Sequence, residues 1–368
     1  MEGELIATTT IAWLGFALGA VFGFIGNKTN FCTMGAISDI MNMGDWTRMR
    51  MWLLAIAVAL IGVALISAGA GVDVSKSIYG GSRLIWLSHV VGGLLFGVGM
   101  VLASGCGSKT LIRMGGGNLK SFLVLTVMGV SAFMTLRGLF GVWRTNTVDQ
   151  VAVQLDSSQD LPSLIGAASG MDPKTLALWL PLLIGLLLLA FVLKSKEARS
   201  FDALLGGIGI GLTVVGGWYV TGKIGFVAEH PETLEAAYIG TLSNRPESLS
   251  LVAPSAQFLD LLMYWSDASK FISFGVAAAT GIVVGSVIWA LIGRTFREEV
   301  FPNPGDFKRH LIGGGLMGVG GVTGLGCTIG QGLTGISTLS LGSFITLIAI
   351  VVGAAIMLKI DYWQAMRD

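Results

Sequence analysis

The sequence predicts an all-α polytopic membrane protein: about nine transmembrane helices plus short re-entrant helices, in two inverted pseudo-symmetric repeats. Three observations carry that expectation. The chain has 368 residues, 53% of them hydrophobic and only 12% charged, about half the charge that covers a soluble domain. Its apolar residues gather in runs that approach the roughly 20 a membrane helix needs. One such run recurs in the second half with its His, Gly and Cys residues in register. The composition also excludes other classes. With 23 cations against 22 acids no broad basic surface exists for nucleic acid. Three cysteines are too few for a disulfide scaffold or a structural zinc site. High apolar content with little charge excludes a disordered chain. Glycine, at 54 residues, is about twice its ordinary share without a collagen period.

The nine runs cover roughly 11–25, 51–70, 85–103, 121–143, 176–193, 203–221, 272–293, 311–325 and 343–358. The shorter ones mark segments that glycine breaks or tilts. The first follows Glu2 and Glu4, with neither a basic n-region nor a small-residue cleavage site, and is expected to be a retained helix. Threaded alternately, these spans put 15 of the 23 cations on one side, among them Lys28, Arg48, Lys109, Arg113, Lys120, Arg297 and Arg367. The other side receives seven cations, and its long loops 144–175 and 222–271 hold ten acids. By the positive-inside rule the N-terminus is outside and the C-terminus cytoplasmic.

Residues 89–107 and 310–328 match at ten of nineteen positions at an offset of 221, including His89/His310, Gly92/Gly313, Gly99/Gly320 and Cys106/Cys327. Four spans on each side of an odd connecting helix is the arithmetic of an inverted repeat, whose substrate site lies near the midplane between broken segments. The expected units are an N-terminal transmembrane repeat (1–150), a connecting loop and helix (151–200) and a C-terminal transmembrane repeat (201–368).

Chemistry concentrates where glycine and a single cysteine interrupt apolar runs: Asn30–Ala36, Ser104–Thr110 and Leu325–Gly332. In hydrocarbon, irregular backbone survives only inside protein or along a cavity. Each segment is therefore expected to be a re-entrant tip, its amides facing an anion and its thiol a weak, polarisable donor. A lone membrane cysteine is ordinarily an apolar filler; repetition at equivalent positions argues against that here. Lys28 and Lys109 adjoin two of the tips, and for each a role at the site and snorkelling to the interface both stand open. Ser108 separates Gly107 from Lys109, so no phosphate-loop core exists. His89 and His310 are expected as interface anchors, and Trp46, Trp52 and Trp86 as an interfacial belt. Met41, Met43, Met49 and Met51 are expected to pack, since no Cys or His joins them at copper-ligand spacing. No metal or cofactor is expected.

Phe31-Cys32-x-x-Gly35-Ala36-x-x-Asp39, Ser104-Gly105-Cys106 with Arg113-x-Gly115, and Gly326-Cys327-Thr328-Ile329-Gly330-Gln331-Gly332 resemble the motifs of the YeeE/YedE family of sulfur-compound transporters. The likeness extends through most of the chain, including Thr221-Gly222-Lys223 and the Gly281–Ser286 helix. It implies an hourglass-shaped inner-membrane protein that imports thiosulfate or a related sulfur oxyanion. Cys32, Cys106 and Cys327 would be successive stations of non-covalent S–H···S contact. Gly105, Gly326, Lys109, Thr328, Gln331 and Lys28 complete the expected substrate-binding set. The resemblance also implies a cytoplasmic sulfur-carrier partner of the TusA type. Lys109 departs from the family's small residues, and its repeat partner is Gly330. The alternative is a membrane sulfur-transfer or redox protein with Cys106 or Cys327 as covalent nucleophile. A helix bundle without transport is a third reading.

Overall fold

The computed structural model describes residues 2–229, 234–267 and 269–366; Glu232 and Arg367, counted above, lie outside them. In chain order the α-helices are α1 (Glu2–Lys28), α2 (Thr33–Met43), α3 (Thr47–Ala70), α4 (Trp86–Leu102), α5 (Gly107–Gly115), α6 (Leu119–Arg137) and α7 (Leu139–Asn146). There follow α8 (Leu161–Ser169), α9 (Pro173–Leu193), α10 (Phe201–Tyr219), α11 (Val252–Met263), α12 (Phe274–Ile292), α13 (Pro304–Thr323) and α14 (Leu341–Ala365). Two antiparallel two-residue ribbons pin loops: β1 (Arg83–Leu84) with β2 (Val153–Gln154), and β3 (Phe226–Val227) with β4 (Ala237–Tyr238).

Polar caps start the helices where the apolar runs begin. Asn118, Asp172, Ser200, Ser273 and Asn303 each accept a backbone N–H of the first turn, with proline at the first helical position of α9 and α13. Among the described residues eight helical stretches are long and apolar enough to span a membrane. The ninth expected run, 311–325, falls mostly in α13, whose 20 residues pack within the bundle but carry Asp306, Lys308, Arg309 and His310 in their first turns. The expected run 121–143 is two helices, because the backbone turns extended at Gly138 and α7 starts afresh.

The halves pack reciprocally. The first helix of each lies along the third of the other, α1 on α12 and α10 on α3. The two helices carrying the sequence repeat, α4 and α13, cross each other, and each also lines the last helix of the opposite half, α14 and α6. Even the short elements obey the exchange, with α11 against α6 and α2 against α14. α9 packs outside this frame, on α3.

Glycine allows these crossings. A Cβ on Gly19 or Gly23 would overlap the carbonyl of Ala278 or Ile282, and one on Gly281 or Gly285 would overlap Phe16 or Ala20. At the α4–α13 crossing Gly92 meets Gly324 while its repeat partner Gly313 meets Ala103, itself the partner of Gly324 at the 221-residue offset. Without water to drive helices together, such close backbone approach is a principal source of association in lipid.

Candidate functional site

Three loops reach a cysteine by the same backbone route. Asn30, Ser104 and Leu325 adopt left-handed conformations with φ of 54°, 56° and 57°, a strain of about 1–3 kcal/mol each for residues with side chains. Two positions later comes the cysteine, which opens the next helical segment. Cys32 caps α2 and its sulfur accepts the Gly35 N–H at 3.3 Å. Cys327 accepts the Gly330 N–H at 3.4 Å. Cys106 caps α5, with its sulfur 3.2 Å from Ser108 Oγ. A Cβ on Gly105 would crowd the Lys109 side chain, and one on Gly326 the side chain of Gln331.

The fold brings these caps together. The Cys32 and Cys106 thiols come within reach of each other, and Cys106 also faces Thr328 and senses Cys327. Tyr79 adjoins Cys327, and Lys109 adjoins both Cys32 and Cys106, so the thiols stand in the order Cys327, Cys106, Cys32 with these two groups beside them. All three thiols are free and buried, at 5%, 0% and 0% exposure for Cys32, Cys106 and Cys327. Thr33 Oγ1, Thr328 Oγ1 and Gln331 Oε1 beside them are buried without a hydrogen bond of ordinary geometry, which native interiors seldom tolerate without a functional reason.

A vestibule flanks each end of the file. One is a cavity of about 550 Å³ containing Asn30, Ser104, Lys109, Arg113, Lys28 and Arg297. Its cations outnumber Glu299 and Asp306, so it favours an anion. The other, about 160 Å³, is lined by Tyr79, Arg144, Glu247, Ser250, Leu325 and Gly326. No cysteine lines either cavity, but the loops that carry them do: Asn30 and Ser104 line the larger, Leu325 and Gly326 the smaller. Burial, with Cys327 and Glu247 nearby, pushes the Tyr79 phenol above its ordinary range, leaving it a hydroxyl donor.

Lys109 and Arg113 lie one turn apart on α5 and hold two of the left-handed loops. Lys109 Nζ donates to Asn30 Oδ1 at 2.8 Å, and Arg113 Nη1 donates to the Ser104 carbonyl at 2.7 Å. The asymmetric lysine therefore stands at the edge of the thiol layer with a defined partner. Lys28 ends α1 at the vestibule and places its ammonium 4.8 Å from the Phe201 ring centre and 5.2 Å from that of Trp289. Gln331 Nε2 donates to the Gly324 carbonyl at 2.7 Å, tying the Cys327 turn to the end of α13. The histidines are not interface anchors. His89 and His310 are buried, with His89 Nδ1 2.7 Å from Thr346 Oγ1 and His310 Nδ1 2.8 Å from the Asp306 carbonyl. Trp52 is likewise buried, against Gly332, while Trp46 and Trp86 are exposed.

Arg48 was visible in the sequence only as a loop cation. It passes over Gly35, where a Cβ would strike its guanidinium, to form a two-pronged ion pair with the buried Asp39. This explains the Gly35 and Asp39 of the first motif: the pair anchors α2, whose first turn holds Cys32. Asp39→Asn is expected to cost about 3 kcal/mol, the lower end for breaking a buried pair because Arg48 is partly exposed. A thermal melt in detergent checks it, against Ser38→Ala as a surface control.

The Sulphur transport family model matches residues 28–356 of the chain. A protein of Spirochaeta thermophila named thiosulfate transporter TsuA is 27% identical over 351 residues, covering 93% of this chain and 96% of its own. An Escherichia coli protein of the same name is 29% identical over 350 residues, covering 92% of this chain and 91% of its own.

Proposed function

The chain belongs to the Sulphur transport family, and on that premise we propose that it is a multi-pass transporter, not an enzyme, that imports thiosulfate or a related sulfur oxyanion across the bacterial inner membrane. One observation supports the reading above others: three buried free thiols stand in file between a basic vestibule and a smaller one lined by Tyr79, Arg144 and Glu247. Thiosulfate has a soft terminal sulfur and a charged sulfonate end. The thiols suit the first as weak donors, their sulfurs held by the Gly35 and Gly330 amides; the Thr328 hydroxyl, buried without an ordinary hydrogen bond, suits the charged end. Weak sequential sites let an anion enter and leave. Cys32, Cys106, Cys327, Gly105, Gly326, Thr328 and Gln331 form the constriction, with Lys109 at its edge and Lys28 in the basic vestibule.

In this reading the basic vestibule is cytoplasmic, the N-terminus is outside, and the smaller vestibule receives substrate. Residues 1–150 and 201–368 are the two inverted repeats, joined by 151–200; the reciprocal packing supports that division. The basic vestibule also suits delivery to a cytoplasmic sulfur carrier of the TusA type. Labelled thiosulfate uptake into proteoliposomes tests the function, with sulfate, sulfite and selenite as competitors. No uptake by folded protein would overturn it.

Glu247 adds a pH dependence. Burial pushes its carboxyl up to about 7, and it lines the smaller vestibule with Arg144. Above that pH the carboxylate repels an entering anion; below it the group is neutral and the repulsion is gone, while Arg144 stays paired with Asp149. Uptake is expected to fall as outer pH rises from about 6 to 8, as the carboxyl ionises. Glu247→Gln should flatten the profile at its acid-side level.

The covalent alternative has one observation in its favour: Cys32 supplies, in space, the neighbouring thiol that Cys106 lacks in sequence. Mass spectrometry for a persulfide on purified protein separates the two readings.

A further inference from the structure

Four short segments converge on the constriction, and only three of them present a cysteine. Cys32, Cys106 and Cys327 open α2, α5 and the turn before α14; the fourth segment is α11, and the residue that caps it is Leu251. Cys32 and Leu251 are 219 positions apart, close to the 221 that separate Cys106 from Cys327. Their helices are also exchanged by the reciprocal packing, α2 on α14 and α11 on α6. Leu251 therefore occupies in the second half the place Cys32 holds in the first.

Its surroundings agree. Leu251 is 0% exposed. Its backbone amide faces the Cys327 sulfur. A Cβ on Gly107, the residue after Cys106, would sit 3.9 Å from the Leu251 Cβ. On its other side Ser250 lines the smaller vestibule together with Gly326. The segment before it is held by Thr334 Oγ1 donating to the Leu249 carbonyl at 2.7 Å and Ser248 Oγ donating to the Val214 carbonyl at 2.7 Å. Leu251 is thus held between the thiols and the smaller vestibule that its neighbour Ser250 lines.

We propose that Leu251 is the specificity-determining fourth wall of the constriction, an apolar contact that admits the weakly hydrated sulfur end of the substrate and rejects a fully oxygenated tetrahedral oxyanion. A hydrophobic constriction passes only what sheds its water. Sulfate presents four hydrated oxygens and finds no donor from this wall, whereas a terminal sulfur tolerates apolar contact. The inference rests on the transport reading above and names its selectivity element.

The test measures labelled thiosulfate and labelled sulfate uptake in proteoliposomes for wild type, Leu251→Ala, Leu251→Cys and Leu251→Met. Leu251→Ala is expected to raise the sulfate-to-thiosulfate ratio about tenfold, the scale of discrimination one small apolar group supplies. Leu251→Met keeps an apolar wall and should keep the wild-type ratio. Leu251→Cys places at this cap the residue its three counterparts carry; it should fold, and should also raise the ratio. An unchanged ratio in both Leu251→Ala and Leu251→Cys overturns the proposal, and if the alanine variant does not fold, the cysteine variant decides alone. Wild type that moves no thiosulfate overturns the transport reading instead.

Discussion

Cys106→Ala and Cys327→Ala are each expected to lower thiosulfate uptake by at least about tenfold, roughly 1.4 kcal/mol of lost interaction, while leaving membrane expression unchanged. Both side chains are fully buried, yet alanine differs from cysteine by one sulfur atom, so the void is small and the cost to stability stays near 1 kcal/mol. Cys106 should be the more sensitive. It is the middle of the file, facing Cys32 on one side and the Thr328 and Cys327 turn on the other. Cys32→Ala should be milder, since Lys109 and Asn30 remain beside it at the basic vestibule. Growth limited by thiosulfate reads the effect in cells, and proteoliposome uptake separates it from expression. Full uptake in both variants would remove the thiol file from the mechanism. Cys→Ser variants refine the result: a hydroxyl keeps the donor but not the polarisable sulfur, so partial uptake is expected and no persulfide chemistry survives.

Gly23→Leu and Gly285→Leu are expected to abolish monodisperse protein in detergent. α1 and α12 approach so closely that a Cβ at either position meets the carbonyl of Ile282 or Ala20. Backbone cannot move aside as a flexible side chain does, so the cost exceeds the about 1–3 kcal/mol of ordinary overpacking. Gly69→Ala is the control. It lies in the same kind of apolar helix, α3, with nothing within 4 Å of the added carbon, and should stabilise by about 0.5–1 kcal/mol through helix propensity. Size-exclusion profiles and thermal melts check the contrast; a folded Gly23→Leu protein would show that this crossing does not hold the halves together.

The pairing of α4 with α13 could be anticipated because the repeat sets His, Gly and Cys at one offset, and the re-entrant tips because cysteine and glycine interrupt apolar runs. Other features left no such mark. Arg48 looked like any loop cation, since its partner Asp39 is nine positions away and the space between them is opened by the missing side chain of Gly35. His89 looked like a membrane anchor because it opens an apolar helix; its burial comes from α14, which supplies Thr346 from 257 positions away. Leu251 was one leucine among many until the exchange of halves put it in the place that Cys32 holds in the first half.

The sequence by itself determined the class, most of the spans and the three loops that carry the thiols, because hydrophobic length and glycine spacing act locally along the chain. Tertiary structure decided the rest: which cysteines face one another, that Lys109 and Arg113 hold the loops of Asn30 and Ser104, and that two vestibules reach the loops that carry the thiols. Much of the glycine excess belongs to helix crossings instead of turns. The physical reason is that a glycine records the absence of a side chain, and what fills that space is known only when the partner helix arrives.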